Sequence, residues 1–370
     1  MVVSRFTFVD GERLIRFGAG VLGEAGALLA ERGFERYALL TTKRALASAP
    51  AFGQPAGTVL HVPAGSVPDA AAAVRAGVEG RPLVALGGGR VVDVAKAIAG
   101  ADRLECAAIP TTLAGSPFTP FHRMPSGVEE WRLVRPSLVI SDPCLLTSLP
   151  APRLAATAMN ALAHAMESLY TPRANPVAEM AALRATELVA GALGRGEGAA
   201  GAAAPERAVG PAPAGGERAV TAEMAPAVGE RAVAAELALA ALLAGYAIGT
   251  TGLALHHAIC QTIVRTCDTP HAETNAVVLP HSARFMAGRA PRELGAFARA
   301  LGEPARDPAR AGDRVSELAV HTGMARLSEL GVTAGALTEL AAAVARHPAL
   351  QNTPGGVGRG EVEGLLRQAL

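Results

Sequence analysis

Val84-Ala-Leu-Gly87-Gly88-Gly89-Arg90-Val-Val-Asp93-Val-Ala-Lys96-Ala-Ile-Ala99 passes from a short apolar run through three glycines into a segment of helical composition. A strand that turns tightly into a helix is the entrance to a βα unit. Glycines let a backbone approach a pyrophosphate closely, and the unpaired amides of a helix start attract its charge. A dinucleotide or phosphate site is therefore expected at Gly87, Gly88 and Gly89. The polar loop Ile109-Pro110-Thr111-Thr112-Leu113-Ala114-Gly115-Ser116 follows, and its hydroxyls suit ribose or phosphate oxygens.

Around this unit, residues 37–41, 83–86 and 138–140 read as strands separated by helical segments. Such alternation predicts a Rossmann-like α/β domain over residues 1–150, with a parallel sheet covered by helices. Past Pro150 the strand signals fade, and Ala/Leu-rich stretches at 152–170, 176–193, 230–265, 291–302, 313–330 and 335–347 carry helical periodicity. Residues 151–370 are thus expected to form an all-α catalytic domain. Two domains also suit the length, since 370 residues exceed the ~250 at which single cores stop growing. Between 194 and 229 the chain is rich in Ala, Gly and Pro, and Gly-Glu-Arg-Ala-Val-Thr-Ala-Glu at 216–223 nearly recurs at 229–236. Two copies are too few for a solenoid, so a flexible surface insertion is expected, its second copy opening a helix.

The net charge of +1, with acids and bases interspersed, supplies no field for a nucleic-acid backbone. Half of the residues are hydrophobic, but the apolar stretches are interrupted before the ~20 residues of a membrane span. The N-terminal residues Met1 to Phe6 lack the layout of a secretory signal. A cytoplasmic protein without membrane or nucleic-acid partners is expected. Cys106, Cys144, Cys260 and Cys267 show no Cys-x-x-Cys spacing, so each reads as a small buried apolar side chain, not as a metal thiolate or half of a disulfide.

His164, His256, His257, His271 and His281 all lie in the helical half. In Ala158-Met-Asn160-Ala-Leu-Ala-His164-Ala-Met-Glu167, Asn160 and His164 are four apart and share a helix face. The segment Gly252-Leu-Ala-Leu-His256-His257-Ala-Ile-Cys-Gln261 is followed by Thr269-Pro270-His271-Ala-Glu273-Thr-Asn275 and by Pro280-His281. Several imidazoles are thereby offered to one cleft.

The Gly-Gly-Gly-x-x-x-Asp-x-Ala-Lys and Pro-Thr-Thr-x-Ala-Gly-Ser segments resemble the nucleotide-binding core of iron-containing alcohol dehydrogenases. The histidine segments resemble that family's Asp-x-x-x-His, His and Pro-His elements. The resemblance implies the dehydroquinate synthase-like fold of that superfamily, NADPH or NADH as cofactor, and a dimer. It implies cofactor contacts from Gly87, Gly88, Gly89, Asp93, Lys96, Thr111, Thr112, Ser116 and Thr42. It also implies a metal-ligand set at Asn160, His164, His257 and His271, where Asn160 replaces the usual Asp. An amide oxygen offers a cation only a dipole, and Asn in a Met-Asn-Ala-x-Ala-His context is similar to maleylacetate reductases, which work without metal. Fe or Zn at this set remains the alternative, because three imidazoles alone can hold zinc.

The resemblance further implies hydride transfer to an unsaturated oxo-acid, maleylacetate or a relative, with His257, His256, His164 and His271 as the catalytic imidazoles. The family often has an acidic residue after the strand at 37–41; here Thr42-Lys43-Arg44 stands there, so NADPH is expected to be accepted at least as well as NADH. Gln261, Asn275, Leu113 and Pro117 depart from the maleylacetate reductase pattern at pocket positions, which leaves a related substrate open. Arg90, Arg123 and Arg135 are candidates for holding carboxylates. A metal-dependent alcohol dehydrogenase and a non-catalytic cofactor-binding protein are the competing readings.

Overall fold

The computed structural model describes residues 3–130, 132–195 and 228–370. The insertion expected at 194–229 lies outside the described residues except at its two ends. Seven strands make one sheet: β1 Phe6–Asp10, β2 Arg13–Phe17, β3 Ala38–Thr41, β4 Thr58–His61, β5 Leu83–Gly87, β6 Cys106–Pro110 and β7 Leu138–Ser141. Their spatial order is β1-β2-β7-β6-β5-β3-β4. β1 pairs antiparallel with β2, and every other pairing is parallel. The expected strands are β3, β5 and β7. The other four are of similar length, but β6, Cys-Ala-Ala-Ile-Pro, has too little β-branched content to announce itself.

Helices α1 Ala25–Glu31, α2 Lys43–Ser48, α3 Val67–Arg75 and α4 Gly89–Asp102 accompany the sheet. After β7 the described chain is helical: α5 Ala151–Tyr170, α6 Pro176–Gly194, α7 Val228–Thr251, α8 Leu255–Cys267, α9 His271–Ala287, α10 Pro291–Ala300, α11 Ala311–Ala319, α12 Leu337–Ala345 and α13 Arg359–Ala369. The α/β-then-α order is therefore as expected.

Successive strand residues point to opposite faces, and the core divides accordingly. Leu39, Val84, Leu86, Ile109 and Ile140 pack with Val21, Ala25 and Leu29 on one face. Leu40, Leu83, Ala85, Ala108 and Val139 join α3, α4 and the helical half on the other. Both faces are covered, which is what parallel sheets require.

Three helical expectations need correction. The stretch 230–265 is two helices, because Gly252 takes φ +89 between α7 and α8, a conformation cheap only for glycine. The stretch 313–330 ends as α helix at Ala319, before Gly323 at φ +70. Helices α9 and α13 fall outside the expected stretches: Pro280 lies inside α9 and masks its period, and α13 covers Arg359–Ala369. One apolar helical segment, 229–251, is long enough to cross a membrane, contrary to the reading that all such stretches are interrupted. It packs against α5 and α6, as a core helix does. Cys106 and Cys260 are buried as expected, but Cys144 is exposed; all four thiols are free.

Candidate active site

The parallel strands deliver their C-terminal ends to one edge of the sheet, where crevices in such folds bind ligands. Gly87 ends β5, and α4 starts at Gly89. None of Gly87, Gly88 or Gly89 has a positive φ, so turn geometry does not demand them. Close packing does. A Cβ on Gly87 would lie 2.7 Å from Val91 Cγ2, one on Gly88 3.1 Å from Thr112 Cγ2, and one on Gly89 3.0 Å from Ala114 Cβ. The 111–116 loop thus lies directly on the glycine turn, and Thr111 N–H donates to Gly87 O at 3.0 Å.

Val91 N–H at the start of α4 donates to Gly88 O at 3.0 Å, whereas the Gly89 and Arg90 amides before it have no intrahelical acceptor, and the Thr111 hydroxyl is buried without a partner. This cradle fits a phosphate of a dinucleotide. Thr112 and Ser116 are partly exposed beside it. Thr42 caps α2, its Oγ1 accepting from Ala45 N–H at 3.2 Å, while Lys43 and Arg44 are exposed on the first turn of that helix.

Lys96 is placed otherwise than the cofactor contact expected of it. Lys96 is fully buried, and its three ammonium protons are matched by Asp93 Oδ1 at 3.2 Å, Ser116 O at 3.0 Å and Phe121 O at 2.6 Å. No proton is left for a ligand. The pair clamps the polar loop to α4.

The helical half meets this edge through α5, α8 and α9. Along α5, Asn160, His164 and Glu167 are buried on neighbouring positions of one face. His164 stacks on His257 from α8, with ring centroids 4.6 Å apart and planes 7° from parallel. A Cβ on Gly115 would come within 2.6 Å of His164 Cε1, so the polar loop touches the histidine cluster. His271 begins α9 and is open to solvent. Even so, the protein packed around it lowers its pKa, partly countered by Asp93 and Glu273.

Glu167 was not anticipated as a site residue. It is fully buried, and its carboxylate accepts Ala254 N–H at 3.1 Å, His257 N–H at 3.2 Å and His257 Nδ1–H at 2.7 Å. Ala254 is the N-cap of α8 and has no capping side chain of its own. Glu167 supplies that cap from α5, where the positive end of a helix favours an anion. As the one acid in the α5 sequence, three residues past His164, it was visible, but its partner lies 90 positions away. Burial pushes its pKa up, against the pull of His256 and the backbone amides.

Burial and the nearby His271 and His347 push the His257 pKa down, so the ring is a neutral imidazole. With Nδ1–H bound to Glu167, its Nε2 lone pair is left without a partner, as are His164 Nδ1 and Asn160 Oδ1. His256 is arranged otherwise. Both its nitrogens are engaged, Nε2 with Asn275 Oδ1 at 2.9 Å and Nδ1 with Ser282 Oγ at 3.1 Å, and burial holds its pKa at about 3. It packs edge-on against His257 at 5.1 Å and braces α8 against α9. His281 is only partly buried.

The metal-ligand set of the resemblance does not fit a cation as arranged. Imidazole lone pairs lie in the ring plane, so the parallel rings of His164 and His257 cannot converge on one ion at ~2.0–2.1 Å. Among the described residues no three His, Cys, Asp or Glu side chains are grouped to hold a metal.

A phosphate-cradling glycine turn facing buried imidazoles across one crevice is the layout of a nicotinamide-dependent oxidoreductase. Residues 16–122 match the iron-containing alcohol dehydrogenase family, and residues 220–370 match its C-terminal region. Maleylacetate reductase of Sphingobium indicum is 33% identical over 295 residues, 78% of this chain and 74% of that protein. The crystal structure of maleylacetate reductase from Agrobacterium tumefaciens aligns with a TM-score of 0.76 at 28% identity, covering 100% of this chain and 99% of that one. An iron-containing alcohol dehydrogenase from Corynebacterium glutamicum aligns with a TM-score of 0.78 at 26% identity, covering 100% and 98%. The chain belongs to the iron-containing alcohol dehydrogenase family, in its maleylacetate reductase-like branch, and is an NAD(P)-dependent oxidoreductase.

Proposed function

We propose that this enzyme reduces the conjugated double bond of an unsaturated oxo-acid, maleylacetate to 3-oxoadipate or a close relative, without an obligatory metal. The observation that carries the metal-free mechanism is the buried Glu167–His257 dyad, whose 2.7 Å hydrogen bond leaves Nε2 as the proton-handling atom. The glycine turn would hold NADPH or NADH, which when bound would supply the hydride for the alkene carbon remote from the ketone. The substrate then carries an enolate, and a proton must reach the carbon next to the carbonyl. A proton taken up at His257 Nε2 makes an imidazolium facing the Glu167 carboxylate, so the charge is balanced inside the site and Nε2–H can be given up. His164 stacks on that ring, and Asn160 offers an amide oxygen without a protein partner. His256 acts as a positioning residue.

Lys43 and Arg44 support use of NADPH at least as well as NADH. The four free thiols suit a reducing cytoplasm, and β1, at the sheet edge with Val9 exposed, offers a surface for a homodimer. The test is oxidation of NADPH and of NADH by the purified protein with maleylacetate, with the product identified. Formation of 3-oxoadipate with both cofactors, NADPH at least as efficient, is expected. Absence of turnover with both would refute the substrate, and a strong NADH preference would refute the cofactor assignment.

A further inference from the structure

His257, Gln261 and Arg265 succeed one another at four-residue spacing on α8 and so share one face. Beyond Gln261 that face opens into a cavity of about 340 Å³, lined by Thr262, Arg265 and Thr266 from α8 and by Arg346 and His347 after α12. This is within the ~300–1,000 Å³ of small-ligand sites. Gln261 connects the two places: its Oε1 accepts His347 Nε2–H at 3.2 Å, and His347 Nδ1 accepts Ala349 N–H at 3.2 Å, so the ring is fixed in one tautomer. His347 is near enough to the dyad for Glu167 to raise its pKa against burial.

The cavity is basic and its charges are unmatched. Among the described residues Arg265, Arg346 and Arg123 make no ion pair and no side-chain hydrogen bond to protein, although most arginines of this chain do. Arg123 comes from the sheet half, on the loop that His122 pins by accepting Val134 N–H at 3.0 Å. Arg265 and Arg346, two arginines on the wall of one cavity with no ion pair among the described residues, leave room for a shared anion.

We propose that this cavity is the subsite for the substrate's second carboxylate, the one on the far side of the carbonyl from the double bond. Arg265 and Arg346 bind it. The inference rests on the oxo-acid reading above and narrows it to dicarboxylates. The eight residues from His257 to Arg265 span about 12 Å of helix. Helical side chains lean toward the helix N-terminus, which for Arg265 is the direction of Gln261 and His257. Gln261, at a departure from the maleylacetate reductase pattern, then lies between reaction centre and anion site and fixes their separation.

Adipate, a dicarboxylate that cannot be reduced, is the probe. With NADPH present, adipate is expected to raise the melting temperature of the wild-type protein well above the effect of equimolar hexanoate or inorganic phosphate. Arg265→Ala and Arg346→Ala should each remove most of that difference, and Arg265→Lys should restore part of it. These side chains are exposed, and an unchanged melting temperature without ligand would show that the variants fold. In turnover, Arg265→Ala should raise KM for maleylacetate at least tenfold, with kcat within threefold and KM for NADPH unchanged. Equal stabilisation of wild type and variants by adipate, no stabilisation of the wild type, or phosphate or hexanoate acting as well as adipate would each overturn the subsite. Loss of maleylacetate turnover in the wild type while adipate still depends on Arg265 would instead fault the substrate and leave the dicarboxylate site standing.

Discussion

The sheet half and the helical half build their parts of the site by opposite means. At the nucleotide end the parts are close in sequence: residues 84–99 and 109–116 hold the glycine turn and the polar loop, and Lys96 clamps the two together. At the histidine end the parts come from α5, α8 and α9, and the central bond, Glu167 to His257, joins residues 90 apart. The nucleotide cradle is held by packing so tight that a Cβ does not fit. The chemical end is held by a buried charge that is worth its desolvation only while all its partners are present. A perturbation should therefore cost binding and stability in the first region and turnover in the second.

His257→Ala is expected to break this contrast most visibly. Removing the proton-handling atom should lower kcat about a hundredfold or more, equivalent to ~2.7–4 kcal/mol of barrier, with cofactor affinity unchanged in a fluorescence titration. In the sheet half, Lys96→Met should leave the Ser116 and Phe121 carbonyls without their donor and cost about 3 kcal/mol of stability, read from a urea melt, with a raised KM for NADPH. Glu167→Gln keeps the shape and one acceptor oxygen but removes the charge that balances an imidazolium. Its kcat should fall roughly tenfold to a hundredfold with KM for maleylacetate little altered. A change confined to KM would mean that Glu167 only shapes the pocket. The smallest effect is expected at the surface: Lys43→Ala with Arg44→Ala should weaken NADPH relative to NADH by about threefold to tenfold, as the loss of exposed charge–phosphate contacts implies. No change in the ratio would remove these residues from cofactor choice.

The same contrast explains what could be read before the structure. The glycine turn and the Thr-Thr loop were legible because local chain geometry makes them, and β3, β5 and β7 because their apolar runs are unbroken. Their glycines suit close approach to a ligand, and protein packing leaves no room for a Cβ there either. Lys96 looked like a cofactor residue because sequence shows a charge but not the three acceptors that consume it. Asn160 and His164 were placed correctly on one helix face by their spacing alone. Glu167 escaped because a lone acid in an apolar helix has no meaning until the start of α8 is laid against it. His256 and His257 look equivalent in sequence, whereas Asn275 and Ser282 occupy the first and leave the second free at Nε2. Helix α9 was hidden by Pro280, and the division of α7 from α8 by a single glycine conformation.

The central claim is that an imidazole–carboxylate dyad, and no cation, manages the proton during reduction. It is tested most directly by the kcat for maleylacetate of wild-type protein stripped of metal by a chelator, with the metal content of the same sample measured, before and after addition of Fe²⁺ or Zn²⁺. The account predicts full turnover in the stripped enzyme and no gain on adding either ion. Activity that vanishes on stripping and returns with Fe²⁺ or Zn²⁺ would contradict it and make Asn160, His164, His257 and His271 metal ligands.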